Sequence, residues 1–319
     1  MPSISVTQGE LLQLKDLVQS YCGIRVEDSK LEFLQDRLVP VISAQGLASL
    51  GELCQVLLRE IAFGKDVVWN TVLPLVTINE TYFFRELGQL REFRDHVVPA
   101  LVGTKSLRQI KILSAPCSSG EEPYTLAMLL DESPVSLAGW SVEILGIDID
   151  PEAIGKARAA FYPHSAFRAT EERYRSKYFT PKEGGHRVVP TLAGKARFMQ
   201  ANLLDLPKDR ALEGFDVIFS RNMLIYFDKA TQRRVVDQFY RMLNPGGYLF
   251  LGHSESLMGF DVEFKLKVSS EAIYYEKPAL PGPTSTSPLP SRGTSPLRAP
   301  GTSPLSGPGS APLFTRGSI

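Results

Sequence analysis

The sequence predicts an α/β protein with a parallel sheet, preceded by a small all-α domain. Two patterns support this fold class. Apolar residues recur at helical spacing over residues 5–86, and from about residue 107 short apolar segments alternate with helical patterns. Strands that alternate with helices form a parallel sheet covered on both faces. The chain has 319 residues, 43% of them hydrophobic, which suits one large or two modest domains.

The helical region contains three apolar stripes, each predicted to face a core. Pro40 is predicted to end or kink the second helix, because proline lacks the N–H donor. Residues 1–88 carry seven Lys and Arg against eleven Asp and Glu, a net charge of −4. The stripes consist of Leu11, Leu12, Leu14, Leu17 and Val18; Leu31, Phe33, Leu34, Leu38 and Val41; and Leu50, Leu53, Val56, Leu57 and Ile61.

The α/β region contains five predicted strands, three helices and an NPGG turn before the last strand. Ligands of parallel sheets bind outside the carboxyl ends of the strands. Most of the polar motifs considered below follow a strand at such an end. The strands are QIKILSAP, VEILGIDID, ARFMQANL, FDVIFSRN and YLFLGHS, and the helices are EEPYTLAMLLDE, PEAIGKARAAFY and ATQRRVVDQFYRML.

Composition excludes several classes of protein. The 35 basic and 35 acidic residues cancel, which gives no overall drive toward nucleic acid or a membrane surface. The three cysteines are widely spaced and fit no disulfide framework or metal-ligand pattern. We find no secretory signal and no apolar run of membrane-spanning length. We therefore expect a soluble cytoplasmic protein without a nucleic-acid partner, membrane insertion or a bound metal.

Residues 278–319 differ from the rest of the chain. They are dense in Pro, Ser, Thr and Gly, lack Asp and Glu, and repeat Thr-Ser-Pro-Leu three times. Such a composition buries little surface, so the segment is predicted to be disordered. A passive tail, a docking segment and a linker to a further domain all remain open.

The segment SAPCSSGEE, residues 114–122, runs from a buried strand through small residues into a helix. Small side chains let a ligand approach the backbone and the free amides of the helix start. The segment matches neither GxGxxG nor a phosphate-binding loop. The acids Glu121 and Glu122 suit a ligand that carries positive charge, such as a sulfonium or an amino group. Alternatively, they complement the helix dipole.

Three further motifs follow the later strands. Asp148 is placed to accept hydrogen bonds from the hydroxyls of a ribose, whereas Asp150 fits as the cap of the next helix. Asn202 and Leu203 could bind an adenine edge and face, or form a common strand-end turn. Arg221 follows a buried strand, with Asn222 and Tyr226 just beyond it, and a charge in such a place needs a partner. That partner is either a ligand or, in a structural salt bridge, an acidic side chain of the protein. In NETYFFRE, the spacing of Asn79, Thr81 and Arg85 alone favours a helix start with a surface arginine.

Together these segments resemble the bacterial chemotaxis receptor methyltransferases, the CheR family. The resemblance covers residues 8–277 and rests on TINETYFFRE, APCSSGEEPYTLA, GIDIDPEAIGKAR, FDVIFSRNMLIYFD and NPGGYLFLGHSESL, in that order. It implies an N-terminal helical domain (1–88) and a class I, Rossmann-like methyltransferase domain (89–277). It also implies a small inserted β-subdomain, for which we identify residues 178–198.

The resemblance also implies a cofactor, S-adenosyl-L-methionine, and its product, S-adenosyl-L-homocysteine. Asn79, Thr81 and Arg85 would contact the methionine end, which replaces the surface interpretation of that segment. Arg85, Arg221 and Tyr226 would be the catalytic residues, and His253 would close a turn rather than act as a base. Glu122 would bind the amino group of the cofactor, and Asp148 would bind its ribose. Asn202 and Leu203 would contact the adenine, and Arg221 and Asn222 would line the pocket.

The implied reaction is methylation of glutamate side chains on the cytoplasmic helical domain of a chemoreceptor, by a monomeric enzyme. A methyltransferase with another acceptor, or a non-catalytic signalling protein that binds the cofactor or its product, is the alternative. A nicotinamide oxidoreductase is disfavoured by the glycine pattern. One departure stands out: the second helix is typically arginine-rich in this family, but here Arg37 is its only arginine. This departure favours a specialised receptor, or a chemosensory-like pathway that does not serve motility.

Overall fold

The computed structural model describes residue 4, residues 6–207 and residues 209–279. They form a helical unit followed by an α/β unit built on a seven-stranded sheet, which confirms the predicted fold class. The predicted tail lies outside the described residues, except for residues 278 and 279. Within the described ranges, no helix has the length and apolar character needed to cross a membrane.

The helical unit consists of α1 (Gln8–Cys22), α2 (Leu31–Ala44), α3 (Leu50–Phe63) and α4 (Trp69–Val76). Thr7 and Glu10 form a capping box at the start of α1, and Ser49 caps α3. The predicted stripe residues whose side chains the structure describes form one core around Leu14, Leu38 and Trp69. Among them Leu12 and Ile61 are exceptions, since both are exposed.

The sheet has the strand order β6-β2-β1-β7-β8-β10-β9. The first five strands are parallel, and β10 and β9 add an antiparallel hairpin at one edge. The order reverses between β1 and β7, where doubly wound sheets bind their ligands. In chain order the elements are α5 (Leu87–Glu92), α6 (Val98–Thr104), β1 (Gln109–Ser114), α7 (Glu121–Asp131), β2 (Ser141–Asp148), α8 (Pro151–Ala159), β3 (Phe161–Tyr162), α9 (Glu172–Tyr178), β4 (Phe179–Lys182), β5 (Gly185–Val188), α10 (Pro190–Ala193), β6 (Ala196–Gln200), β7 (Phe215–Ser220), α11 (Lys229–Met242), β8 (Leu243–Leu251), β9 (Lys265–Val268) and β10 (Ile273–Glu276).

A second, three-stranded antiparallel sheet is inserted between α8 and β6, with the order β3-β5-β4. Its strand β3 begins at Phe161, before the 178–198 range identified from the sequence. The ring of Phe83 packs against Tyr162, Phe167 and Phe179 of this insertion at centroid distances of 4.8–5.0 Å. These contacts attach the NETYFFRE segment to the inserted sheet.

The helical unit lies against the carboxyl ends of the strands. Hydrogen bonds join the Gln19 amide to Asp228 (3.0 Å) and the Asn202 amide to the carbonyl oxygen of Tyr21 (2.6 Å). The Arg25 N–H donates to the carbonyl oxygen of Tyr226 at 2.9 Å. The two units thus meet where a parallel sheet binds its ligands.

Helix α2 continues through Pro40 to Ala44, so of the two predicted outcomes, an end or a kink, the structure excludes the end. The prediction of a turn before the last strand was wrong. The NPGG segment lies within β8 rather than before it, and the pairing of β7 with β8 shifts register between Phe215 and Val217. Gly246 in this segment has a φ of 78°, so an irregularity inside the strand takes the place of a turn.

Gly23 ends α1 in the left-handed region and lies against the α/β unit. A Cβ atom there would lie 2.7 Å from Thr231 Cγ2 and 3.1 Å from Leu204 Cδ1. We expect Gly23→Ala to lower the free energy of unfolding by about 2–3 kcal/mol, since backbone strain adds to a steric clash. Gly64→Ala is the matched control, because Gly64 is also left-handed but a Cβ there meets no atom within 4 Å. Urea unfolding of both variants measures the difference, and equal losses would refute the packing argument.

Candidate active site

A cleft opens at the carboxyl ends of β1, β2, β6 and β7 and contains about 700 Å³ of free space, open solvent at its mouth included. Six residues predicted from the sequence line it: Asn79, Asp148, Asn202, Leu203, Asn222 and Tyr226. Thr81, Arg85, Glu122 and Arg221 are not among the lining residues.

Asp148 ends β2 and is buried at 4% exposure. Its Oδ2 accepts the Ser118 N–H at 2.7 Å and its Oδ1 accepts the Asp150 N–H at 3.0 Å. Burial raises the pKa of Asp148 to about 6, although these backbone hydrogen bonds oppose the shift. Each carboxylate oxygen keeps a second lone pair, so the ionised group can accept further hydrogen bonds from a ligand.

Asp150 caps α8, as predicted, and also holds the helical unit's last segment. Its Oδ1 accepts the N–H groups of Glu152 (2.8 Å) and Ala153 (3.2 Å). Its Oδ2 accepts the Thr77 hydroxyl at 2.9 Å and the Asn79 amide at 2.5 Å. One buried carboxylate therefore places the segment 77–79 beside Asp148.

Arg221 forms a salt bridge, the alternative that the sequence left open. Its side chain is 4% exposed, and its Nε lies 2.6 Å from Glu122 Oε2. Its Nη1 donates to the carbonyl oxygen of Arg85 at 2.7 Å and lies 3.7 Å from Glu86 Oε2. The Ser114 hydroxyl binds the other oxygen of Glu122 at 2.7 Å. Each member of the buried pair has a further polar partner, the Ser114 hydroxyl for Glu122 and the Arg85 carbonyl oxygen for Arg221, as buried charges require.

The NETYFFRE segment reaches the same cluster through strained backbone. Phe84 and Glu86 have φ values of 61° and 58°, a left-handed conformation that is rare outside glycine. The Arg85 side chain points away from Arg221 and donates to the carbonyl oxygen of Glu80 at 2.7 Å. Arg85 is therefore joined to Arg221 by its backbone carbonyl oxygen and not by its side chain. Strain of this kind is frequent at binding sites.

Asn202 forms the strand-end turn, one of its two sequence interpretations, and also contacts the helical unit. Its Oδ1 accepts the Leu204 N–H at 2.9 Å, which is the strand-end turn, while its Nδ2 binds the helical unit. Leu203 is 9% exposed and contributes an apolar wall. The Asn202 amide therefore fixes the shape of the cleft floor through its turn and its contact with the helical unit.

Sequence reasoning missed several residues of the site. Cys22 and Ile24 line the cleft from the helical unit, and no local pattern pointed to them, because only docking of the two units brings them there. Glu255 is a second omission. Its carboxylate accepts the N–H groups of Asn222 (2.8 Å) and Gly252 (2.7 Å), and thus fixes the turn after β7. The distinctive GHSES run, which contains Glu255, was the available signal.

His253, in the same run, lies at the surface with 73% of its side chain exposed. Its Nδ1 is 3.0 Å from Glu86 Oε1, and Glu86 also faces Arg221. His253 therefore joins the turn to the Arg221 cluster and does not line the cleft.

Comparison with known proteins identifies the family. The family model "CheR methyltransferase, SAM binding domain" matches residues 79–273. The chain belongs to the CheR methyltransferase family. It is 35% identical to chemotaxis protein methyltransferase 2 of Vibrio cholerae over 279 residues, which cover 87% of this chain and 96% of that protein. It is 32% identical to the chemotaxis protein methyltransferase of Escherichia coli over 270 residues, 83% and 90% of the two chains.

The residues of the cleft fit S-adenosylmethionine, the cofactor of this family. Asp148 offers a buried carboxylate with free lone pairs to a ribose. Leu203, Met223 and Phe227 provide apolar surface for an adenine ring. Glu122 does not line the cleft, and its carboxylate is paired with Arg221, so its contact with a cationic ligand end stays a prediction.

Asp150→Ala removes four hydrogen bonds at once, two to the start of α8 and two to the segment 77–79. We expect the free energy of unfolding to fall by about 3 kcal/mol, because a helix cap and two part-buried side-chain hydrogen bonds are lost. Ser49→Ala is the control, since Ser49 caps α3 through the Glu52 N–H, and should cost about 1 kcal/mol. Thermal or urea unfolding measures both. Similar losses in the two variants would show that Asp150 serves as a cap alone.

Proposed function

We propose that this chain transfers the methyl group of S-adenosylmethionine to glutamate side chains of a chemoreceptor, forming methyl esters. The observation that carries the proposal is the cleft at the switch point, where Asp148, Asn202 and Tyr226 meet in a chain of the CheR family. We further propose that the enzyme acts as a monomer in the cytoplasm, on the helical cytoplasmic domain of the receptor.

The proposed roles are those that the resemblance to the CheR family implies; Asn79, Asp148, Asn202, Leu203 and Asn222 also line the cleft, whereas Thr81 and Arg85 do not. Asp148 accepts the ribose hydroxyls, and Asn202 and Leu203 contact the adenine. Asn79, Thr81 and Arg85 bind the methionine end, and Asn222 forms part of the pocket wall. Arg221 acts as a positioning residue, because its salt bridge orients the Glu122 carboxylate that would bind the cofactor's amino group.

The reaction requires positioning more than acid–base chemistry. When bound, S-adenosylmethionine supplies a methyl group on a sulfonium, which is a good leaving group. A glutamate carboxylate in water has a pKa of about 4.3 and is already ionised at neutral pH, so no strong base is needed. The chain's own contribution is to hold the acceptor oxygen in line at close approach. Tyr226 lies half-buried in the cleft wall and is placed to orient that oxygen.

Transfer of labelled methyl groups tests the proposed reaction. We expect label from S-adenosylmethionine on a receptor's cytoplasmic fragment, released as methanol by base, with mass spectrometry locating glutamate esters. Tyr226→Phe should keep cofactor affinity and lose turnover. Base-stable label would favour the methyltransferase with a different acceptor. Tight cofactor binding without any transfer would favour the non-catalytic signalling protein.

Calorimetry with S-adenosylhomocysteine tests the cofactor residues. We expect Arg85→Ala and Asp148→Ala to abolish detectable binding while the fold survives. In the unaltered chain, the ionised Asp148 carboxylate is the form that binds the ribose hydroxyls. Its pKa is about 6 in the free protein. Affinity should therefore be constant above pH 6 and fall by about tenfold for each unit below it.

Asp148→Asn is the matched control for the pH profile. It removes the titrating group but keeps a side-chain acceptor, so its weaker affinity should not change between pH 5 and 7. A profile that bends at the same pH in both proteins would assign the titration to another group, such as Glu121, whose pKa is also raised by burial.

A further inference from the structure

A second groove adjoins the cofactor cleft, and Tyr226 belongs to both. It contains about 720 Å³ of free space, open solvent included. Its walls come from the linker between α1 and α2 and from the turn that carries Tyr226. The lining residues are Lys15, Arg25, Val26, Glu27, Asp28, Ile225 and Tyr226. Since the methyl group is expected beside Tyr226, this groove is the neighbouring space from which an acceptor can reach it.

Arg25 is the unpaired charge of this groove. Lys15 and Asp28 form a salt bridge with each other, and Glu27 has an interaction of its own. The Arg25 side chain is exposed, and within the described part of the chain its guanidinium makes no hydrogen bond or salt bridge. It acts only at longer range, on Asp228, where it helps to lower the pKa of that carboxyl. A free guanidinium of this kind is suited to bind a carboxylate.

The position of Arg25 is fixed although its side chain is free. The backbone N–H of Arg25 donates to the carbonyl oxygen of Tyr226 at 2.9 Å, so the two residues are neighbours in the wall of the groove. Ile225 beside them is 50% exposed and presents apolar surface to the same space. A charge and an apolar contact thus flank the tyrosine.

Helix α2 offers no comparable cation. Arg37 is its only basic residue, and its guanidinium donates to the carbonyl oxygens of Leu75 (3.0 Å) and Pro74 (3.3 Å). That side chain is therefore used inside the helical unit, at the end of α4. The linker after α1, in contrast, presents the exposed Arg25 next to the site.

We propose that this groove binds the acceptor segment, and that Arg25 pairs with a carboxylate of that segment. The inference rests on the proposed function. The occupant is an acidic α-helix that carries the acceptor glutamate. Side chains three and four residues apart on a helix lie about 5–6 Å from each other, so one carboxylate can face Tyr226 while its neighbour meets Arg25. Arg25 is then a specificity-determining residue, and Ile225 supplies the apolar contact.

Charge reversal at Arg25 tests this proposal on the full-length enzyme. Methyl transfer is measured with the receptor fragment that the unaltered chain methylates. We expect Arg25→Glu to raise the KM for that fragment about tenfold, with kcat little changed. Affinity for S-adenosylhomocysteine should stay the same, because Arg25 lies outside the cofactor cleft. Arg25→Lys should recover much of the loss.

Arg59→Glu is the matched control. Arg59 is an exposed arginine of α3 in the same helical unit, outside the groove, and its reversal changes the net charge equally. Equal KM values for the two variants would overturn the proposal, and so would a parallel loss of cofactor affinity in Arg25→Glu. When lysine replaces the receptor carboxylate that pairs with Arg25, the KM of Arg25→Glu should return toward that of the unaltered chain. The KM of Arg59→Glu should show no such recovery. Absence of base-labile methylation by the unaltered chain on any receptor would instead refute the proposed function.

Discussion

The carboxylate of Asp150 is the contact on which the arrangement of the site depends. It is 1% exposed and accepts hydrogen bonds from the start of α8 and from the segment that follows α4. An ionised group at this depth is stable only when its lone pairs are used. Because the partners belong to both units, the requirement to satisfy one carboxylate also fixes how the helical unit meets the sheet. The Asp150 N–H also donates to Asp148, two residues earlier, whose carboxylate lines the cleft.

Sequence reasoning identified the sheet, the order of its motifs and the capping role of Asp150. These features are local: strand periodicity, a proline after the aspartate and a position at a strand end all lie within a few residues. It also predicted that Arg221 needs a partner at a buried strand end. It could not name Glu122 as that partner, because the pairing depends on how α7 packs against β7. Cys22 and Ile24 were missed for a similar reason, since their role arises only when the two units dock.

The NPGG segment and Pro40 show where local rules are overridden. Both contain residues that normally interrupt regular structure, yet β8 and α2 continue through them. In β8, pairing with β7 on one side and β10 on the other holds the irregular segment in the sheet. Tertiary contacts can outweigh unfavourable propensities, which amount to about 1 kcal/mol for most residues and about 3 kcal/mol for a proline inside a helix. The same contacts decide which of the apolar helix residues remain exposed, as Leu12 and Ile61 illustrate.

The contact between the two units also has a consequence for biosynthesis. The hydrogen bonds from Asn202 to Tyr21 and from Gln19 to Asp228 join residues separated by 181 and 209 positions. During synthesis the chain emerges from its amino terminus, so each of these contacts must wait for its later partner. The cleft can therefore form only after β7 and the turn beyond it have been made. A ribosome-bound chain that ends before that turn lacks part of the cofactor cleft, however well its helices are formed.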